Sequence, residues 1–270
     1  MPSSRYYRFK ALTSEERTNR REMIIFWFVF AAAFISIMWL FFMSPFFKIT
    51  KITLPENDIV PKNEINNLVA NNAPLNLGEN IFIFSKNKMK LSLVAAFPAI
   101  TNISVKKELF HGLDINFEKR IPIGIWCQPT DTKPETGNCY YLDKEGIIFR
   151  EAPTTEGSLI LKIRDSEKKD IAPGNQVLNN NQLKFIIEFN DEIIEKNQFK
   201  IMEFSIKPSA NFDLRATTDQ GWSIYLDQNQ NPALEASNLF TILNDAIKNK
   251  IKNLDYVDLR IPSRIFYKLK

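Results

Sequence analysis

Side chains able to do covalent chemistry are few in this sequence. It has one histidine, His111, and two cysteines, Cys127 and Cys139. His111 precedes Gly112 between two alternating stretches. There it reads as a turn residue with no orienting carboxylate, so a Ser-His-Asp set has no base. No G-x-S-x-G, P-loop or dinucleotide glycine fingerprint is present. Eight glycines in 270 residues leave little for phosphate-cradling loops. The acidic residues Asp191, Glu192 and Glu195 fall at helical spacing and read as a solvated face rather than a catalytic carboxylate pair. No catalytic, cofactor-binding or metal-binding set is expected, and no small-molecule substrate.

The cysteines point to a structural role. They bracket "QPTDTKPETGN", and the apolar runs "IGIWC" and "CYYLD" flank them. Two such runs would pair as a hairpin with the thiols facing across its mouth. A disulfide there would close about 13 residues and stabilise by roughly 3 kcal/mol in the chain-entropy model. It needs an oxidising compartment. Free thiols are the alternative. A zinc site would need four ligands, and two cysteines with a distant His111 fall short.

The elements that must position these residues begin with a membrane segment. Residues 1–22 carry six basic groups (Arg5, Arg8, Lys10, Arg17, Arg20, Arg21) against Glu15, Glu16 and Glu22, which is +3 of the chain's net +4. The rest is near neutral, so nucleic acid is not an expected partner. "MIIFWFVFAAAFISIMWLFFM", Met23–Met43, follows without a charge. As a helix it reaches roughly 31 Å, the thickness of the hydrocarbon core. Trp27 and Trp39 lie near its ends, and the positive flank predicts a cytoplasmic N-terminus with the remainder outside. A cleaved signal peptide fits less well, since the apolar core is too long and "FFMSPFF" offers no small-x-small site. No second run of that length follows, so one pass is expected.

Beyond the anchor the pattern predicts a mixed α+β architecture. "SPFFKITKITLP" (Ser44–Pro55) reads as a strand with a phase slip between Ile49 and Ile52. Pro61 suits the first turn of a helix that carries Ile65, Leu68 and Val69 on one face. Ser85 caps a second helix with Met89, Leu93, Ala96 and Phe97 facing in. Two strands follow, lined by Ile103 and Val105 and by Leu113, Ile115 and Phe117. This is β-α-α-β-β, a small sheet under two helices. From about Arg120 the chain is strand-rich. It has one helix over about Asn180–Asn197 (Leu183, Ile187, Asn190, Ile194) and a second over about Pro232–Ile251 (Leu239, Leu243, Ala246, Ile247). The expected divisions are a basic tail 1–22, a transmembrane helix 23–43, a first domain 44–119 and a second domain 120–270.

The chain closes on "YVDLRIPSRIFYKLK", a basic, aromatic strand pattern. From Arg264 it alternates Arg264, Phe266, Lys268 and Lys270 with Ile265, Tyr267 and Leu269. One face can bury; the other offers cations and an aromatic ring. Two readings fit. The strand ends the sheet with lysines that deter aggregation, or its edge accepts a partner strand.

Several motifs in order resemble one family. The β-α-α-β-β unit behind a single anchor looks like a POTRA domain. "FEKRIPIGIW" is similar to Glu-x-Arg-x-Pro-x-x-x-Trp, with Glu118, Arg120, Pro122 and Trp126 in place. "LDKEGIIF" is similar to Asp-x-x-Gly-x-x-Phe, with Asp143, Gly146 and Phe149. "LDYVDLRIP" is similar to a near-terminal Val-Asp-Leu-Arg. Together they resemble the FtsQ/DivIB family of bacterial cell-division proteins. The resemblance implies a non-enzymatic scaffold of the division septum, with a POTRA domain and an FtsQ-type β domain. It implies FtsB-like and FtsL-like bitopic partners on the β domain and recruitment through the POTRA domain, including by an FtsK-like protein. It places the FtsB contact on the last strands, at Arg260 and the following Ile261 and Ser263. Ile261 stands where some relatives have an aromatic residue. With the strand pattern, Arg264 and Phe266 join this set, and the resemblance favours docking. The alternative is another POTRA-bearing envelope scaffold or secretion component, which would be expected to continue into a barrel of amphipathic membrane strands or into a different partner domain. An anchored envelope hydrolase would need a nucleophile with its base, which one histidine makes hard to supply.

Overall fold

The structure, a computed structural model, describes residues 14–56, 58–108, 111–129, 137–153, 160–167, 170–207 and 213–270. Residues 1–13 of the basic tail and most of the loop between the cysteines lie outside the described residues.

A run of residues apolar on every side can form a helix but cannot bury it in a small domain. Helix α1 (Ser14–Met43) behaves accordingly. Its segment Arg20–Phe42, 23 residues of mean hydropathy 2.5, is long and apolar enough to cross a membrane and has no part buried inside the protein. The hydroxyl of Ser36 donates to the Ala32 carbonyl at 2.8 Å, so the run carries no unsatisfied side-chain donor there.

The chain divides into two compact units. One joins the chain up to Lys90 with Ser104–Asn116; the other joins Leu91–Ile103 with Phe117–Lys270. In the first, the stretch expected as one strand is broken. Ser44 Oγ accepts from Phe46 N at 3.2 Å and caps a 3-10 turn, Pro45–Phe47. Pro45 has no N–H to give a ladder, so a turn suits it better than a strand. Only β1 (Lys51–Thr53) is strand. Helix α2 (Lys62–Ala70) buries Ile65 and Val69, with Pro61 at its N-cap. Ser85 Oγ accepts from Lys88 N at 3.3 Å and starts α3 (Lys86–Ala96). Met89, Leu93 and Phe97 are buried, whereas Ala96 faces out. Strands β2 (Ile100–Glu108) and β3 (Gly112–Lys119) complete a three-stranded sheet of order β1-β3-β2, with β1 parallel to β3. The element order is therefore β-α-α-β-β.

The second unit holds one nine-stranded mixed sheet. Its strands are β4 (Gly124–Gln128), β5 (Asn138–Leu142), β6 (Ile148–Ala152), β7 (Leu161–Asp165), β8 (Ile201–Lys207), β9 (Asp213–Thr218), β10 (Ser223–Leu226), β11 (Leu254–Asp258) and β12 (Phe266–Leu269). The order across the sheet is β12-β11-β10-β9-β8-β7-β4-β5-β6. Sequence neighbours joined by short turns pair antiparallel. The β7–β8 and β10–β11 pairs are parallel, because helices α4 (Asn180–Lys196) and α5 (Pro232–Ile242) supply the crossovers that parallel pairing requires. Both helices pack on one face of the sheet, over Trp126, Phe204, Trp222 and their neighbours.

Two helix details depart from the sequence pattern. Helix α4 starts at a capping box between Asn179 and Gln182, with both bonds at 3.0 Å. Its buried stripe is Leu183, Ile186, Phe189 and Ile193, while Ile194 is 61% exposed. The stacked rings of Phe185 and Phe189 outweigh Ile187 and Ile194 as anchors and rotate the helix toward themselves. The second helix ends as α at Ile242 and continues as a π turn, Leu243–Ile247, then a 3-10 turn, Lys248–Asn253. Leu243 and Ile247 stay buried, Ala246 does not, and "KNKIKN" offers too few apolar anchors to prolong an α-helix.

Candidate docking edge

The last fifteen residues combine two alternating strands with a polar turn, and the structure places them at one edge of the sheet. Strand β11 lies parallel to β10. β12 returns antiparallel, with Val257 opposite Tyr267 and Asp258 opposite Phe266. Ile265 and Leu269 pack partly against the core, while Phe266 is 49% and Tyr267 41% exposed. Among the described residues, no strand pairs with the outer side of β12. A four-residue edge strand with half-exposed rings and open backbone groups is a template for strand addition.

The connection between β11 and β12 is a tight turn. Arg264 N donates to the Ile261 carbonyl at 3.1 Å. Pro262 takes the second position and Ser263 the third, at φ +65°. This is the type II arrangement, in which the third position ordinarily calls for glycine. Gln230 Nε2 donates to the carbonyls of Leu259 and Arg260, both at 3.1 Å, and holds the start of the turn. Ile261 is 49% exposed, so the turn presents an apolar side chain beside Arg264.

Arg260 is fixed by its neighbours. Its Nε and Nη2 donate to Asp258 at 2.9 and 2.7 Å, Nη1 donates to Asp213 at 3.1 Å, and the guanidinium lies 4.9 Å from the Tyr225 ring. Hydrogen bonds from Arg260 hold the Asp258 carboxyl below its usual range against the opposing effect of its partial burial. Planar donors stacked and paired in this way are pre-organised. Arg215, Tyr225, Asp258 and Phe266 are successive cross-strand partners, so they line one face of the sheet. Tyr225 also meets Tyr256 edge-on at 5.4 Å. Arg215, Tyr225 and Tyr256 were not singled out by sequence reasoning. Only the register between strands joins them to Phe266. Lys268 forms an exposed ion pair with Asp255 at 3.1 Å.

The other motif residues are structural and lie elsewhere in the second unit. Cys127 and Cys139 are directly opposed on β4 and β5 and joined by a disulfide. Arg120 forms a buried ion pair with Asp143, donates to Glu145 at 2.9 Å and to the Pro98 carbonyl at 3.0 Å. Asp143 Oδ1 accepts from the backbone of Glu145 and Ile147, both at 2.9 Å. Trp126 and Phe149 are core residues, and Glu118 accepts from Asn102. Among the described residues, no group of three or more His, Cys, Asp or Glu is arranged to hold a metal.

No match is found among curated proteins. Residues 133–260 match the model of the family described as cell division protein FtsQ/DivIB, C-terminal. That stretch runs from the loop before β5 to Arg260 and includes α4, α5 and the Val-Asp-Leu-Arg segment. The second unit therefore carries a stretch similar to the C-terminal domain of the FtsQ/DivIB cell-division proteins.

Proposed function

We propose that the protein is a non-enzymatic scaffold of the division septum that binds FtsB-like and FtsL-like bitopic proteins by strand addition to β12. In this reading α1 crosses the cytoplasmic membrane once with its N-terminus inside. The chain beyond α1 then lies outside, and its β-α-α-β-β part serves recruitment, including by an FtsK-like protein. The observation that carries the reading is the open edge of β12, with Phe266 half exposed beside the fixed Arg260 and the Ile261–Arg264 turn. The oxidised Cys127–Cys139 pair agrees with an extracytoplasmic site.

The test is binding of the full chain in nanodiscs to the extracytoplasmic segments of the FtsB-like and FtsL-like proteins of the same genome. Phe266→Asp should weaken binding by about 30-fold, the scale of a central aromatic anchor. Its thermal unfolding should stay unchanged, because that ring is not in the core. Equal affinity of the two proteins would remove β12 as the docking edge. Absence of binding at high micromolar concentration would remove these partners.

A further inference from the structure

Where α1 ends, a set of aromatic rings continues it. Phe41 stacks on Phe47 with centroids 5.3 Å apart, and Phe82 meets them edge-on at 5.9 and 5.0 Å. Phe46 meets Phe47 at 5.2 Å and His111 at 5.4 Å. Three regions distant in sequence thus converge: the helix end with the 3-10 turn after it, the turn around Phe82, and His111. Phe46 and Phe82 are 58% and 57% exposed.

The convergence is held by polar contacts rather than by the rings alone. Asn80 is 4% exposed, and its Nδ2 donates to the carbonyls of Phe41 and Phe42 at 2.9 and 3.1 Å. These are orphan carbonyls of the last helical turn, which otherwise need water or a cap. Asn80 Oδ1 accepts from Phe82 N at 2.9 Å, and Ile81 N donates to the Phe47 carbonyl at 2.9 Å. The helix end is therefore bolted to the turn that carries Phe82. A short tether free to swing would show no such clamp.

Half-exposed phenylalanines in a cluster are costly in water, and clusters of this kind mark interaction surfaces. Here the neighbouring apolar surface is α1 itself. If the helix spans lipid and ends at Met43, Phe41 and Phe42 lie at the boundary of hydrocarbon and headgroups, where aromatic side chains are favoured. Phe82, 5.9 Å from Phe41, must lie at a similar depth. Its depth is then set by the fold and not by its place in the sequence.

We propose that Phe46 and Phe82, supported by Phe41, Phe47 and His111, form a collar that inserts into the headgroup–acyl boundary of a phospholipid bilayer. The first unit then sits on the membrane surface in a fixed orientation. This rests on the reading of α1 as a membrane span, and the experiment separates the two. The full chain is prepared with a single nitroxide at Phe82→Cys, Phe46→Cys, Ile35→Cys or Lys62→Cys, leaving the buried disulfide intact. Each is reconstituted alone in phosphatidylcholine–phosphatidylglycerol vesicles. Collision with oxygen, which concentrates in lipid, is compared with collision with a water-soluble nickel chelate. The oxygen-to-nickel ratio at positions 82 and 46 should exceed that at the exposed Lys62 position by about threefold or more, as for interfacial insertion. It should be highest at position 35. A ratio at 82 or 46 equal to that at 62, with position 35 in lipid, overturns the collar and leaves the span. A water-exposed position 35 overturns both.

Discussion

The nine-stranded sheet has two edges, and they are finished differently. At β6 the chain covers its own edge. Ile148 donates to Asn175 and accepts from Gly174, and Ile147 bridges to Gln176. Gly146 makes this possible: at φ +75°, its missing Cβ would lie 2.0 Å from the Leu178 carbonyl oxygen. The disulfide and the Arg120–Asp143 pair brace the same end. At β12 no described strand pairs with the outer side. The turn beside it keeps Ser263 at φ +65°, and Glu235 lies beneath at 2% exposure with its Oε2 unpartnered. One edge uses its hydrogen bonds internally. The other retains open groups and local strain, the features a docking surface keeps.

The comparison breaks most sharply at Arg120. Arg120→Ala leaves Asp143 buried without its counter-charge, which costs about 3–5 kcal/mol. Urea unfolding of the second unit should shift by that amount, while partner affinity of the protein that remains folded should stay within about twofold. Loss of affinity without loss of stability would tie the two edges together. Next comes the disulfide. Replacing Cys127 and Cys139 by alanine reopens the closed loop and should cost about 3 kcal/mol, again with docking unaffected.

Both bracing devices involve residues that the sequence names, yet their pairing was not equally legible. The cysteines flank a turn-rich loop between strand patterns, and local alternation is enough to face them. Arg120 and Asp143 fall in separate motifs, and nothing local says that they meet. The start of α3 was legible because caps are local: the Ser85 side chain holds that N-terminus from three residues away. The face of α4 was harder to read. Apolar residues occur all along it, and only packing shows that Phe185 and Phe189 set the rotation. Strand order was the least legible. The β4–β7, β7–β8 and β10–β11 neighbours are distant in sequence and are fixed by crossovers, not by propensity. The clamp of Asn80 on α1 is of the same kind. Ile261 and Arg264 could be singled out from the sequence, but not the cavity of about 140 Å³ that they line with Glu235, Gln230 and Asn238.

That cavity sharpens the comparison through pH. Burial raises the Glu235 carboxyl to about 8, and the nearby Asp227 charge acts in the same direction, against a hydrogen bond from Asp227 N. The folded state thus holds a proton that the unfolded chain releases near its ordinary value of 4.5. Stability from this group is present below pH 4.5 and declines as pH rises toward 8. Glu235→Gln keeps an acceptor for Asp227 N and removes the titration. At pH 9 the variant should be more stable than wild type by about 2 kcal/mol, less than the full shift would give because Arg264 lines the same cavity and can rearrange. Near pH 5 the two should match. Parallel stability curves from pH 5 to 9 would show that Glu235 is not held neutral by burial.

The smallest effect is expected at Ser263. A non-glycine residue in the left-handed region costs about 1 kcal/mol, and glycine would relieve that cost while losing a similar amount in unfolded-chain entropy. Ser263→Gly should therefore leave unfolding within about 0.5 kcal/mol of wild type. Ser263→Val adds a β-branched side chain where φ is positive, and should lower stability by about 1–2 kcal/mol. The informative reading is affinity, because the turn sets where Ile261 and Arg264 stand beside β12. If docking uses the edge as argued, the valine variant loses more in binding than in stability and the glycine variant keeps both. If both variants bind like wild type, the turn only connects two strands, and the docking surface is confined to β12 itself.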